Sequence, residues 1–267
     1  MTESFDADWL LLREPADHAA RPDALLATLR TALGGARGAG PLEVTDLGSG
    51  TGSNLRYLAP RLPGAQHWRL VDHDAGLLEA AAAPGAGVEI ERRVGDLAAD
   101  PVAALSGREA LVTGAALLDL VSEDWLASLL AASVGQGATV LFALSFDGRI
   151  RWSDPHPLDA ELEDAINRHQ RSDKGFGPAL GPAAAVACAA QLEALGYRVE
   201  SCASDWRIDA EQAALGTALI DGWVRAASEV APDRSAALQA WGEARAGSLA
   251  RGAVELVVGH RDVLGWP

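Results

Sequence analysis

The chain is poor in lysine, cysteine, long apolar runs and positive charge. Lys174 is the only lysine of 267 residues, against a background rich in Ala, Gly and Arg. That bias reads as base composition of the source genome, and a lysine that survives it marks a place where arginine is no substitute. Cys188 and Cys202 are the only cysteines and lack ligand-like spacing, which argues against a disulfide framework or a thiolate zinc site. Both read as small buried hydrophobes. No apolar run reaches the ~18–20 residues that span a bilayer. The start, MTESFDADW, is acidic and has neither a basic nor an apolar leader segment, so a cytoplasmic protein is expected. Net charge is −15 with no basic stretch, which lowers the expectation of a nucleic-acid partner.

What the chain has is 49% hydrophobic residues, enough for a sizeable core, and a regular alternation of short apolar runs with helical patterns. Residues Asp6–Pro22 read as an irregular or partly helical charged arm. A helix follows from Pro22 to Leu33, then a glycine-rich link over Gly34–Pro41. Strands are predicted at Val44–Leu47, His67–Asp72, Val88–Val94, Ala110–Thr113 and Thr139–Ser145. Helices fall between them at Ser53–Leu62, Ala75–Ala83 and Glu123–Ser133. The alternation breaks over Phe146–Pro182, which holds four prolines and a helix near Leu158–Arg171. It resumes with a helix at Ala183–Leu195, a strand at Arg198–Ala203, helices from Asp209 to Val230 and from Asp233 to Leu249, and a last strand at Val254–Gly259. The pattern predicts a single α/β domain over 1–267 with a doubly wound, mainly parallel sheet. Ligands of such sheets bind outside the carboxyl ends of the strands, at the switch point, where the first strand belongs.

The chemistry concentrates at Leu42–Asn54, LEVTDLGSGTGSN, and at LVDHD, which ends in Asp74. Gly48, Gly50 and Gly52 allow a sharp turn and a close backbone approach to a ligand. The spacing is G-x-G-x-G. The dinucleotide fingerprint places its third glycine where Ser53 stands. Asp46, on the strand just before the loop, suits a ligand with an ammonium group better than a diphosphate. Asp72 stands at the end of strand 2, where a carboxylate can accept from both ribose hydroxyls. Asp96, after strand 3, is placed to accept from an adenine amino group, with Leu97 as its apolar contact.

DLGSGTGSN, LVDHD and VGDL together resemble the class I S-adenosylmethionine-dependent methyltransferases, over roughly Leu42–Ser145. The resemblance implies a Rossmann-like sheet of seven strands, the last antiparallel and inserted between strands 5 and 6. It implies S-adenosyl-L-methionine as cofactor and S-adenosyl-L-homocysteine as product. The glycine loop with Asp46 and Asn54 would approach the methionine part, Asp72 with His73 the ribose, and Asp96 with Leu97 the adenine. Thr113, Gly114 and Ala115 would lie beside the sulfonium. The sequence departs from the family after strand 4, where it reads TGAALLDL and carries no N-P-P-Y motif, so methylation of a base amine loses support.

The N-terminal arm and the insertion after strand 5, at about 1–40 and 147–182, are expected to form a lid that aligns acceptor, carbon and sulfur. Arg21 or Arg13 is a candidate partner for the carboxylate of the methionine part or of the substrate. The bland alternative is a pair of surface arginines. His169 or Asp173 is a candidate general base, although His169 near a helix end also complements the dipole. His156 is a second choice, and His18 and His73 are weaker ones. Lys174 and Phe176, in KGFG, are candidate substrate contacts. Trp152 and Trp206 are candidates for an acceptor pocket, whereas Trp223 and Trp241 read as core.

The expected activity is O- or N-methylation of a small soluble metabolite, with no nucleic-acid or membrane partner and with the oligomeric state open. The alternatives are methylation of a protein, nicotinamide-dependent reduction, and cofactor binding without catalysis. The missing third glycine and the acid at 46 speak against reduction.

Overall fold

A computed structural model describes residues 7–35 and 40–267. The first residue of the arm and half of the glycine-rich link therefore lie outside the described residues. The arm is a continuous helix, α1 (Ala7–Ala20), although Pro15 lies inside it. α2 (Asp23–Gly35) turns back beneath the sheet and buries Leu25, Leu29 and Leu33.

Five strands follow the predicted order: β1 (Leu42–Leu47), β2 (Gln66–Asp72), β3 (Val88–Val94), β4 (Leu111–Ala115) and β5 (Thr139–Trp152). They pair in parallel. The helices between them are α3 (Ser53–Leu58), α4 (Ala75–Ala80) and α5 (Glu123–Gly135). α6 (Asp159–Gln170) and α7 (Ala184–Ala194) precede β6 (Arg198–Ala203) and β7 (Trp206–Ile208). α8 (Ala213–Val230) and α9 (Ser235–Ala250) precede β8 (Leu256–Trp266).

The sheet runs β3-β2-β1-β4-β5-β8-β6, with β7 beside β8. The order reverses at β1, as the crossover rule requires for a switch point. β8 is antiparallel to β5, β6 and β7. The sheet thus has eight strands where seven were expected. The extra one, β7, is three residues long and carried too little pattern to be read.

β5 runs on to Trp152 instead of ending at Ser145, and β8 runs from Leu256 to Trp266 instead of ending at Gly259. The two strands lengthen each other, pairing Ile150 with Val258 and Trp152 with Leu256. The register between β5 and β8 shifts twice, between Phe142 and Ser145 and between Phe146 and Ile150, and Gly148, at φ +91°, lies in the second irregularity. The antiparallel extension rises past the carboxyl ends of the parallel strands and forms one wall above them.

Three apolar clusters hold these layers. Two cover the faces of the parallel sheet. The third lies between the extension and α6, α8 and α9, with Trp152, Trp206 and Trp241 buried in it and Trp223 packed against it. Cys188 is fully buried in the second cluster, and burial pushes its thiol up to about 12, as suits an inert core residue. Among the described residues no helix is long and apolar enough to cross a membrane.

Candidate cofactor and substrate cleft

The loop after β1 turns on its glycines. Gly48, Gly50 and Gly52 have φ of +62°, +50° and +82°, a region that side chains with a Cβ enter only with strain. Gly52 is also the N-cap of α3. The loop is fastened to β2: the Gly50 N–H donates to Asp72 Oδ2 (2.8 Å) and the Ser49 N–H to the Val71 carbonyl (3.1 Å). Asp72 Oδ1 accepts from the Asp74 N–H (3.0 Å), and His73 Nδ1 lies 3.3 Å from it, half exposed. Asp72 is therefore the buried brace of the loop, at the β2 tip where a ribose acceptor was expected.

α1 lies across this loop. Glu14 takes both Nε and Nη2 of Arg56 (2.7 and 2.5 Å), and Arg56 Nη1 in turn donates to the Thr51 carbonyl. The Arg56 guanidinium holds the Glu14 carboxyl below its usual value. His18 Nε2 is 3.1 Å from the Ser53 carbonyl oxygen. Leu10 presses on the loop so closely that a Cβ on Gly50 would sit 3.0 Å from its Cδ1.

Between α1 and the loop is a cleft of about 60 Å³. Arg13, Asp17 and His18 line it from α1, Arg21 from the link to α2, Gly48–Thr51 and Asn54 from the loop and α3, Ala115 from the tip of β4 and Leu144 from the middle of β5. Arg13 is held by both oxygens of Asp17 (2.9 and 3.1 Å), with its guanidinium over the Trp206 ring. Leu144 has φ +56° and Ala116, just past β4, has φ +52°. Two strained non-glycine residues thus stand on neighbouring strands, one just past β4 and one at an irregularity within β5, the kind of place where strain accompanies function.

A buried polar chain runs from the cleft, which Asn54 and Arg21 line, into the sheet. Asn54 donates through Nδ2 to Asp46 Oδ1 (2.9 Å) and to Thr113 Oγ1 (3.1 Å). Asn54 Oδ1 accepts from Arg21 Nη1 (3.1 Å), and Arg21 Nε donates to Asp262 Oδ2 (3.0 Å). Asp46 is fully buried, and its Oδ2 has no hydrogen-bond partner among the described residues. Burial pushes its carboxyl up to about 7, against the Asn54 hydrogen bond and the Arg21 charge.

The other expected site residues are dispersed. Asp96 is exposed and caps the Ala98 and Ala99 N–H groups, while Leu97 is buried with its carbonyl accepting from Trp125 Nε1. Gly114 packs against β1, where a Cβ would meet the Leu47 carbonyl at 3.0 Å. His169, at the end of α6, has Lys174 Nζ 3.2 Å from Nδ1 and Glu229 Oε2 3.5 Å from Nε2. Asp173 is exposed and accepts from the Gly175 and Gly177 N–H groups, so it shapes its own turn. Lys174 is buried, and Phe176 stands edge-on to Trp125. His156 accepts from the Leu158 N–H before α6.

None of these residues lines the cleft described above. Trp152 is core, packed on Trp241 and under the Arg245 guanidinium. Of the histidines weighed as bases, His18 is the one that lines the cleft. Sequence reading missed Asp262, Leu144, Glu14 and Arg56. Asp262 gave little signal, since it ends the polar triplet His260-Arg261-Asp262 and so looks like part of a turn before VLGW. No group of three metal-ligating side chains occurs among the described residues.

No protein-family model and no curated protein matches this chain. Solved structures do. The cyclopropane synthase MmaA2 from Mycobacterium tuberculosis is similar over 98% of this chain and 94% of its own, with 12% identity and a TM-score of 0.50. A SAM-dependent methyltransferase from Thiobacillus denitrificans, in complex with S-adenosyl-L-homocysteine, is similar over 99% and 100%, with 16% identity and a TM-score of 0.45. Strand order, the antiparallel β8 between β5 and β6, and the likeness to MmaA2 establish that this chain has the Rossmann-like methyltransferase fold.

Proposed function

We propose that this protein is an enzyme that binds S-adenosyl-L-methionine in the cleft beneath α1 and transfers its methyl group to an O or N atom of a small soluble metabolite of the cytoplasm, leaving S-adenosyl-L-homocysteine. The observation that carries the reading is the cradle at the β1 tip. Three left-handed glycines bring backbone to the cleft, and directly behind them Asp46 keeps one buried oxygen without a partner. A buried carboxylate oxygen calls for a donor. The ammonium group of an amino-acid-bearing nucleoside answers it, whereas a diphosphate would be repelled.

The residues fit that cofactor. Asp46 and Asn54 would hold its amino-acid end and the loop backbone its middle. Asp72 Oδ1 and Oδ2 each accept one backbone N–H, which leaves lone pairs at the tip of β2 for ribose hydroxyls. Asp96 and Leu97 lie after β3 for the adenine. The bound sulfonium supplies an already activated methyl group, so the protein's share is proximity, alignment and exclusion of water. α1 covers the loop, and Ala115 at the tip of β4 and Leu144 within β5 form the floor on which an acceptor would lie.

The test is incubation with methyl-labelled S-adenosylmethionine and a cell extract separated into its small-molecule and protein fractions. Label is expected in the small-molecule fraction. Label in protein would move the reading to protein methylation, and transfer to neither fraction would overturn it.

A further inference from the structure

Asp262 sits in the middle of β8, 1% exposed, and a buried carboxylate must be paired to be tolerated. It is paired twice. Oδ2 accepts from Arg21 Nε (3.0 Å) and Oδ1 from the N–H of Leu144 (2.8 Å), the left-handed residue that lines the cleft. Arg21, whose guanidinium lies over the Tyr57 ring at 4.7 Å, spends a second N–H on Asn54 Oδ1. A guanidinium has donors only, and a side-chain amide has an acceptor at one end and donors at the other. Arg21 therefore fixes which way the Asn54 amide faces. Its NH2 must point to Asp46 Oδ1 and Thr113 Oγ1, and that leaves Asp46 Oδ2 as the open acceptor. Arg21 was expected to meet a ligand carboxylate directly; in the fold its charge is engaged by Asp262.

We infer that Asp262 and Arg21 are positioning residues that orient the Asn54 amide, and with it the open oxygen of Asp46, toward the ammonium group of the cofactor, while the same Asp262 carboxylate holds the Leu144 turn on the acceptor side. This rests on the cofactor proposed above. The chain of contacts joins β8, the α1–α2 link, α3, β1 and β4, so one buried acid near the C-terminus sets both walls of the cleft.

The arrangement makes cofactor affinity depend on pH. The groups that face Asp46 are Asn54 from α3, Thr113 from β4, Arg21 from the α1–α2 link with Asp262 behind it, and Asp72 from β2. Burial and Asp72 favour the protonated carboxyl, while Asn54 and Arg21 favour the carboxylate. An ammonium ligand binds the carboxylate, so affinity rises as Asp46 ionises, and removing Arg21 displaces that rise to higher pH.

The experiment is calorimetric titration on both sides of neutrality with S-adenosylhomocysteine and with 5′-methylthioadenosine, which shares the nucleoside and lacks the amino-acid end. The variants are the double substitution Arg21→Met/Asp262→Asn, which removes both charges and keeps an oxygen for the Leu144 N–H, and the single Arg21→Lys, which keeps charge without the two-sided fork. Wild type is expected to bind S-adenosylhomocysteine more tightly as pH rises and methylthioadenosine without such a step. In the double variant at neutral pH, affinity for S-adenosylhomocysteine should fall about tenfold, with methylthioadenosine unchanged. If the double variant does not fold, Arg21→Lys carries the test, with a smaller loss confined to S-adenosylhomocysteine. Equal losses for both ligands, or no loss for either, overturn the inference and leave the cofactor reading intact. Wild type that binds neither ligand overturns both.

Discussion

A carboxylate sealed from water with one oxygen unbonded is costly, and Asp46 is such a group. Burial raises its carboxyl from the usual 3.8 to about 7. Between those values the folded protein holds a proton that the unfolded chain has released. Stability therefore falls as pH rises through that window and stays lowered above it. Replacing Asp46 by Asn keeps an oxygen for Asn54 Nδ2 and puts an uncharged amide where the unbonded oxygen was. Asp46→Asn is expected to raise Tm above neutral pH by about 2–5 °C and to abolish the further rise that S-adenosylhomocysteine produces in wild type. Thermal melts with and without that ligand decide it, and a variant that melts lower or still responds to the ligand contradicts the assignment.

At the scale of elements, the first half of the chain was legible and the second less so. β1 to β4 and their helices follow short apolar runs punctuated by glycine, proline and acids; the structure moves the strand ends by at most two residues and ends α3 and α4 four and three residues early. The glycine loop with Asp46 was readable because its spacing serves a backbone geometry. The cleft's other wall was legible only in part: β5 was read to Ser145 and β8 to Gly259, because Asp147, Gly148, His260 and Asp262 are polar or glycine positions inside strands and broke the apolar pattern of their extensions. The arm read as irregular or only partly helical because it is charged, yet those charges are its attachment: Glu14 to Arg56, and Asp17 to Arg13 and to Trp206 Nε1.

Glu14→Gln should loosen α1 without unfolding the sheet. Hydrogen exchange over 7–20 is expected to quicken roughly threefold to tenfold, in keeping with about 1 kcal/mol for a partly exposed pair. Unchanged exchange there would mean that the pair does not hold α1. The α8–α9 contact gives a second test. A Cβ on Gly216 would collide with Leu249 Cδ2, so Gly216→Ala should cost about 1–3 kcal/mol, read as a lower denaturation midpoint with an unchanged slope. An unaltered midpoint would show that Leu249 has room to move aside.

Taken whole, the molecule carries a net charge of −15, and its response to acid is a balance of two buried groups. His260 is packed between Trp206 and Phe146, and burial, with the nearby Arg13 charge, lowers it from 6.5 to about 3. Its folded form stays neutral where the unfolded chain takes up a proton, so its contribution to stability is lost as pH falls from about 6.5 toward 3. Asp46 acts the other way over the shared part of that range, from about 6.5 down to 3.8. Tm in wild type should therefore vary little there. His260→Gln should gain Tm on acidification and Asp46→Asn should lose it. Parallel curves for all three would refute the balance. Below it, Glu109 and Asp159, both held under their usual values, add a common loss.

The measurement that tests the central claim most directly is calorimetric titration of the wild-type protein with S-adenosylhomocysteine and with NADH. The account predicts micromolar, one-to-one binding of S-adenosylhomocysteine and no heat from NADH. Binding of NADH alone, or of neither ligand, would contradict it.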